Sequence, residues 1–274
     1  KFMSSEARLN LLDASFPNLS LYPRKRKVTL SAVLFLARQE ITRLLGDFSF
    51  EELMSSCTFG PGASTSLPRC KSDKAFKFGA ATLQATRSAT VYTSLLNRAF
   101  PTWKFAVEEV EGSRFTTVPK NAKTDRGICI EPDLNMFVQK GLGNMIRKRL
   151  QRVGLLTPMA FLKNQEAARA GSVNGSIATI DLSGASDSLH LELVRQLVRS
   201  DWMVHLEQVR SPVVSLPSET VRLTKISSMG NGNTFELETL IFYGLARAVS
   251  MLVGYGNDTV LVFGDDIAVP TKLA

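Results

Sequence analysis

The stretch VLVFGDDIAVP, from Val260 to Pro270, decides how the fold is interpreted, because a glycine and two adjacent aspartates interrupt a run of β-branched and apolar residues. The pattern predicts one strand over Thr259 to Phe263 and a second over Ile267 to Val269. The glycine, Asp265 and Asp266 form the tight turn between them. Burying two ionised carboxylates without a partner costs several kcal/mol, so ordinary core packing does not explain the pair. Glycine and aspartate are also favoured turn residues, and the triplet alone is equally typical of a plain hairpin.

A third aspartate lies near the end of an earlier predicted strand. The segment SIATIDL, Ser176 to Leu182, alternates as a strand does, and Asp181 points away from the face that carries Ile180. A turn, SGAS, follows. The next helix is predicted from Asp187 to Val198, with Ser186 as its N-cap.

The two predicted strand ends bring three carboxylates into one hypothesis. Asp181, Asp265 and Asp266 could meet at one edge of a sheet although they are far apart in sequence. Clustered carboxylates repel one another, but they are the ligands that a pair of Mg²⁺ ions requires. Two such ions ~4 Å apart can activate a hydroxyl and stabilise a departing pyrophosphate.

A glycine-containing loop enters a long predicted helix between these two regions, in the segment SSMGNGNTFELETLIFYGLARAVSML. Asn233 can cap the helix, and Glu236 three residues later suggests a capping box. Two glycines directly before a helix allow a chain or a ligand to approach the backbone closely.

Positive charge is concentrated ahead of this region. The chain has 33 basic and 25 acidic residues, and the segment from Arg114 to Arg152 holds nine basic residues against three acidic ones. Such a segment predicts a polyanionic partner, most simply nucleic acid or nucleotide phosphates. Part of the charge has a simpler explanation, because cations complement the dipole at the end of a helix. The cations in question are Arg147, Lys148, Arg149 and Arg152.

Composition limits the class of protein. With 274 residues and 44% hydrophobic content, the chain suits one large domain or two ordinary ones. No apolar run approaches the ~18 residues of a membrane span, and the first residues do not resemble a secretory signal, so a cytosolic protein is expected. The three cysteines show no CxxC spacing, which argues against a zinc site or a disulfide framework.

Four motifs of the sequence, together with their order along the chain, resemble those of viral RNA-dependent RNA polymerases, in the form found in levivirus replicases. IDLSGASDS resembles motif A, SSMGNGNTFELE motif B, VFGDD motif C, and VPKNAKTDRGICIEP motif F. The resemblance extends from about Arg114 to the end of the chain, and FGPGAS at Phe59 to Ser64 is also similar. FGDD alone is a weak signal, whereas the ordered set is specific.

The resemblance implies a role for each matching residue. Asp181, Asp265 and Asp266 would be the catalytic, metal-binding aspartates for two Mg²⁺ ions, for which Mn²⁺ can substitute. The implied nucleotide-binding residues are Lys120, Lys123, Arg126, Asp187, Gly230, Asn231 and Gly232. Those of motif F would hold the triphosphate, and those of the motif B loop would support template and nucleotide. Asp187 would read the ribose 2′-OH, although a first-turn helix acid is a nearly equal alternative.

The fold implied by the resemblance is α+β, a right-hand polymerase with fingers and a partial palm. An N-terminal and fingers region with motif F would occupy residues 1–172, and the partial palm would occupy residues 173–274. The thumb and motif D are expected to be absent, because Ala274 follows motif C so closely. Where many RNA polymerases have a motif B asparagine, this chain has Glu238, as the levivirus form does, and Glu238 is not included among the site residues.

The implied activity is template-directed addition of ribonucleotides to an RNA 3′ end, replicating a phage RNA genome. The implied partners are RNA template and product, ribonucleoside triphosphates, host translation elongation factors and a ribosomal protein, without a membrane, in the cytoplasm of an infected bacterium. Two alternatives remain open. A reverse transcriptase shares the palm chemistry but usually has an aromatic and a variable residue before the aspartates. A non-catalytic basic RNA-binding protein would need no Mg²⁺.

Overall fold

A computed structural model describes residues 2–12, 28–256 and 260–274. It combines α-helices with short sheets, which confirms the α+β class. The described residues belong to two compact units, each built from three separate segments of the chain. Unit 1 comprises Lys1–Asn10, Ser49–Met145 and Val204–Thr234, and unit 2 comprises Leu11–Phe48, Ile146–Met203 and Phe235–Ala274. None of the described helices combines the length and the apolar composition needed to cross a bilayer.

The helices are numbered in chain order. They are α1 (Phe2–Leu12), α2 (Leu30–Leu45), α3 (Phe50–Ser56), α4 (Lys74–Phe78), α5 (Tyr92–Ala99), α6 (Asp133–Arg152), α7 (Pro158–Asn174), α8 (Leu191–Leu197), α9 (Ser200–Val209) and α10 (Thr234–Val253). Short 3₁₀ turns lie between several of them.

The strands form three sheets. They are β1 (Thr82–Thr86), β2 (Ala106–Val110), β3 (Ser113–Asn121), β4 (Thr124–Ile130), β5 (Ile177–Ile180), β6 (Val213–Ser215), β7 (Thr220–Arg222), β8 (Leu261–Phe263) and β9 (Asp266–Pro270). Unit 1 contains the parallel pair β1–β2 and a four-stranded sheet in the order β4–β3–β6–β7. Unit 2 contains an antiparallel sheet in the order β5–β9–β8.

Unit 1 is organised around the first half of α6, whose polar side chains are buried. Asp133 accepts hydrogen bonds from Ser66 Oγ (2.8 Å) and from the backbone N–H of Gln84 (2.9 Å). Asn135 accepts one from the N–H of Thr86 (2.9 Å). These side chains therefore satisfy backbone donors of β1 that would otherwise be buried without partners.

Unit 2 confirms the predicted hairpin. β8 and β9 pair with Phe263 opposite Asp266, leaving Gly264 and Asp265 as a two-residue turn. Val262 and Ile267 are buried, as alternation predicts for one face of the hairpin. Thr259, where the first strand was expected to begin, lies outside the described residues.

The predicted helix after motif A begins later than expected. A 3₁₀ turn covers Ser186–Ser188, and α8 begins only at Leu191. The backbone at His190 is extended, and its imidazole Nδ1 accepts the N–H of Glu192 (3.0 Å), so His190 is the N-cap. The prediction of Ser186 as the cap is therefore wrong.

Candidate functional site

Three aspartates of unit 2 lie at one end of the sheet β5–β9–β8. Ile180 pairs with Ile267, and continuing that antiparallel register by one residue places Asp181 opposite Asp266. Asp265 precedes Asp266 in the hairpin turn. All three aspartates are exposed, in contrast to the burial that the sequence pattern suggested. Because the neighbouring apolar residues take the buried positions, the carboxylates stay hydrated and remain open to a ligand.

The carboxylates interact electrostatically. Partial burial raises the pKa of Asp266, and the negative charges of Asp265 and Asp181 raise it further. A cation would relieve this repulsion. The charges of Asp181 and Asp265 thus act on Asp266, and these are the three residues that the sequence hypothesis grouped.

Glu238 lies beside this group and was left out of the sequence prediction. It is 6% exposed on α10, and burial raises its pKa to about 8, with the charges of Asp265 and Glu236 adding to the effect. A carboxyl with that pKa is mostly protonated at neutral pH. The signal in the sequence is an acidic residue flanked by the buried apolar residues Leu237 and Leu240.

The turn that carries Asp265 is held by α10. Gly264 has a φ of +66°, and a Cβ atom there would clash with the ring of Phe235. Its N–H donates to Thr239 Oγ1 (2.9 Å), and that hydroxyl in turn donates to the carbonyl of Phe235 (2.7 Å). Phe235 also packs edge-on against Phe263, with ring centroids 5.3 Å apart. Sequence reasoning missed Phe235 and Thr239, because their role depends on contact between distant segments.

A cavity of about 390 Å³ opens beside the aspartates. Asp181 and Asp266 line it together with residues of α7, including Phe161 and Asn164. The ring of Phe161 also contacts that of Phe263, with centroids 5.6 Å apart. Space for a ligand therefore adjoins two of the three carboxylates.

The donor chemistry of this group suits a hard divalent cation such as Mg²⁺, which prefers carboxylate oxygens. In the part of the chain that the structure describes, no three acidic, histidine or cysteine side chains converge on a common metal position. The three carboxylates are therefore suitable ligands for Mg²⁺, and a cation would relieve the repulsion between them. Their side chains do not converge on one point.

Asp187 lies half-buried within the 3₁₀ turn Ser186–Ser188 of unit 2. Its role in reading the 2′-OH stays a prediction.

The three motif F residues lie on the β3–β4 hairpin of unit 1. Lys120 is on β3, Lys123 is in the turn, and Arg126 is on β4 opposite Val118, and all three basic side chains are exposed. The turn is shaped by Asn121, whose Oδ1 accepts the N–H groups of residues 123 and 124 (2.9 Å each). The hairpin therefore presents three cations to solvent.

The cations at the end of α6 have a different role. Arg147 pairs with Glu236 (2.8 Å) and lies over the ring of Phe235. Arg149 is buried, donates from Nε to the carbonyl of Leu45 (2.6 Å), and stacks on Trp202. These contacts give Arg147 and Arg149 structural roles through an ion pair, a carbonyl and aromatic rings, and their interaction with the helix dipole stays a prediction.

The glycine loop, residues 228–233 of unit 1, is held by its own chain. Gly230 has a φ of +115°, and a Cβ atom there would clash with the carbonyl of Cys129 on β4. A Cβ atom at Gly232 would lie 2.8 Å from the backbone nitrogen of Lys140. The close approach that the glycines permit is therefore used by β4 and α6. Asn231 closes the loop internally, since its Oδ1 accepts the N–H of Ser228 (3.0 Å).

The predicted capping box at the start of α10 is not formed by Asn233. Its Oδ1 is buried without a hydrogen-bond partner. Thr234 Oγ1 instead donates to the carbonyl of Ser228 (2.8 Å), which ties the first residue of the helix to the loop. The helix start was predicted correctly, and its cap was wrong.

Comparisons with known proteins agree on one family. The family model described as RNA replicase, beta-chain, matches residues 1–274. The chain is 39% identical to the RNA-directed RNA polymerase subunit beta of Escherichia virus Qbeta over 276 residues, covering 99% of this chain and 46% of that protein. The corresponding subunit of Enterobacteria phage SP is 42% identical over 246 residues, covering 88% of this chain and 42% of that protein. The chain spans about half the length of the curated relatives it matches.

Proposed function

Because the chain belongs to the family of RNA replicase beta-chains, we propose that it carries the nucleotidyl-transfer centre of an RNA-directed RNA polymerase. In this proposal, residues 1–172 are the N-terminal and fingers region, and residues 173–274 are a partial palm. The reaction joins a ribonucleoside monophosphate to an RNA 3′-OH and releases pyrophosphate.

One observation carries the proposal. The register of the paired strands β5 and β9, continued by one residue beyond Ile180 and Ile267, puts Asp181 opposite Asp266, and Asp265 occupies the adjoining turn. These carboxylates would hold Mg²⁺, which when bound activates the attacking hydroxyl and stabilises the leaving pyrophosphate. The protein's own part is to fix Asp265 and Asp266 on a hairpin whose turn is bonded to α10, with Asp181 directly after the neighbouring strand β5.

Other residues of the chain would bind the substrates. The exposed cations Lys120, Lys123 and Arg126 would neutralise the triphosphate, for which charge-assisted hydrogen bonds are suited. The loop residues Gly230, Asn231 and Gly232 would support the template and the incoming nucleotide, and Asp187 would read its 2′-OH.

The partners proposed for the longer protein are an RNA template and ribonucleoside triphosphates in the cytoplasm of an infected bacterium. Association with host translation elongation factors and a ribosomal protein belongs to the same proposal. It rests on family resemblance alone.

A non-catalytic RNA-binding protein is the second candidate, and one observation favours it. The basic hairpin is exposed, whereas the acidic side chains among the described residues do not converge on a metal position. Such a protein would bind RNA without Mg²⁺ and would tolerate Asp265→Asn.

A templated extension assay with RNA, ribonucleotides and Mg²⁺ separates the two candidates. It should use both this chain and a chain continued to the length of the relatives, with Asp265→Asn as the blank. We expect the longer chain to extend the RNA in a Mg²⁺-dependent reaction, and we expect Asp265→Asn to abolish that extension. RNA binding without extension by either chain would support the second candidate, and incorporation of deoxynucleotides in preference to ribonucleotides would indicate a reverse transcriptase.

A further inference from the structure

A buried amide on α6 connects the glycine loop to two other parts of unit 1. Gln139 is completely buried. Its Nε2 donates to Glu131 Oε2 (2.9 Å) and to the carbonyl of Val209 (2.8 Å), and its Oε1 accepts the N–H of Gly232 (3.0 Å). Every polar atom of this side chain therefore has a partner.

The two acceptors determine how the amide is oriented. Glu131 is 1% exposed, and its Oε2 also accepts the hydroxyl of Ser211 (2.8 Å). Rotating the Gln139 amide by half a turn would direct its oxygen at the Glu131 carboxyl and the Val209 carbonyl, and its NH₂ group at the Gly232 donor. Buried groups left unpaired in this way are costly, so the amide oxygen is kept facing the loop.

Hydrogen bonds attach the loop to unit 1 on two sides. The N–H of Cys129 donates to the carbonyl of Met229 (2.8 Å) on the β4 side. On the α6 side, Gly232 is bonded to Gln139, and the nearby Asn233 Oδ1 has no hydrogen-bond partner. Loss of the Gln139 bond would leave the second half of the loop without this support.

We propose that Gln139 is a positioning residue that holds residues 228–233 in the conformation that receives the incoming ribonucleotide. This inference rests on the proposed function of the loop and adds a residue that no sequence motif contains. Gln139 acts through Gly232 and does not touch the nucleotide.

Asn135 provides a matched control on the same helix. It is also completely buried, and its Nδ2 also donates to the carbonyl of Val209 (2.9 Å). Its remaining bonds are to the N–H and the hydroxyl of Thr86 on β1 (2.9 and 2.7 Å). Asn135→Leu and Gln139→Met therefore each remove three hydrogen bonds, and only Gln139→Met removes one to the loop.

The test compares the two variants by hydrogen exchange of peptides covering residues 228–233 and by the dissociation constant of a fluorescent ATP. We expect Gln139→Met to accelerate exchange in the loop and to weaken ATP binding, each by about tenfold. Asn135→Leu should leave both values within about twofold of wild type. Gln139→Asn, which keeps an amide but shortens its reach, should shift both values in the same direction as Gln139→Met, and it replaces that variant if Gln139→Met does not fold.

Equal effects of Gln139→Met and Asn135→Leu would overturn the proposal, since both would then be general effects on folding. Faster loop exchange with unchanged ATP affinity would overturn it as well. If the wild type binds neither ATP nor RNA, the proposed function fails, and the exchange comparison alone decides whether Gln139 holds the loop.

Discussion

Two hairpins carry opposite charges and are supported in different ways. The β8–β9 hairpin presents Asp265 and Asp266, and its glycine turn is bonded to Thr239 and pressed against Phe235 of α10. The β3–β4 hairpin presents its cations near a turn shaped by its own Asn121. Strand β6 pairs with the first two residues of β3, so the outer part of this hairpin extends beyond that pairing. Positions in the acidic hairpin therefore depend on distant contacts, whereas those in the basic hairpin depend on local ones.

This difference has a chemical reason. Ligands of a metal ion must be held in a defined geometry, because small displacements weaken coordination and catalysis. Flexible cations can follow a polyphosphate, and their attraction falls off slowly with distance. Substitutions beneath the acidic hairpin should thus act on structure, and substitutions on the basic hairpin should act on charge.

The largest effect is expected from Gly264→Ala. The left-handed φ and the clash with Phe235 together should lower the free energy of unfolding by about 3 kcal/mol, as measured by urea denaturation. Gly175→Ala is the control, because Gly175 has the nearly equal φ of +67° and no neighbouring atom within 4 Å of a Cβ. It should cost about 1 kcal/mol. Equal costs would show that α10 does not press on the acidic turn.

The next effect concerns the metal. Mn²⁺ or Mg²⁺ at about a hundred times its dissociation constant should stabilise the folded chain by about 2.7 kcal/mol, visible as a higher melting temperature. Asp265→Asn should remove most of this gain. Asp125→Asn, which removes an exposed carboxylate from the basic hairpin, should keep it. Equal stabilisation of all three proteins would rule out a shared site at Asp181, Asp265 and Asp266.

On the basic hairpin, Lys123→Ala combined with Arg126→Ala should weaken binding of a ribonucleoside triphosphate by about 2 kcal/mol, because charge-assisted hydrogen bonds are lost. Binding of a long RNA should weaken less. The double variant Arg69→Ala and Lys71→Ala is matched in charge and exposure and should change triphosphate binding little. A larger loss for RNA than for the triphosphate would assign the hairpin to the template.

The last effect, the smallest when it is expressed per pH unit, is a pH dependence beneath the acidic hairpin. The folded-state pKa of Glu238, about 8, exceeds its ordinary value of 4.5, so the folded chain binds the extra proton between these values. Its contribution to stability is complete below about pH 4.5 and is lost as the pH rises to about 8, with a slope of at most ~1.4 kcal/mol per pH unit. Glu238→Gln should flatten this slope in urea titrations at several pH values. Glu131, with a pKa of about 7, should retain its own part of the slope in that variant.

The local patterns of the sequence were reliable guides to the elements. Alternation and a turn glycine predicted the β8–β9 hairpin, and a long helix was correctly predicted after the glycine-containing loop, where it starts at Thr234. The caps were less predictable. His190 replaced Ser186 as the cap of α8, and Asn233 makes no capping bond, because neighbouring backbone geometry decides which of several polar side chains reaches a helix N-terminus.

The sequence by itself determined the ordered motifs, the excess of positive charge around motif F, and the family to which the chain belongs. These properties follow from residue identity and spacing, which are local. Only the tertiary structure decided that the aspartates are exposed, that Asp181 and Asp266 line one cavity, and that Glu238 lies buried beside Asp265. Strand register, burial and the pKa of a carboxyl depend on which distant segments pack together, and a one-residue slip in register would have turned the side chains of a strand to its other face.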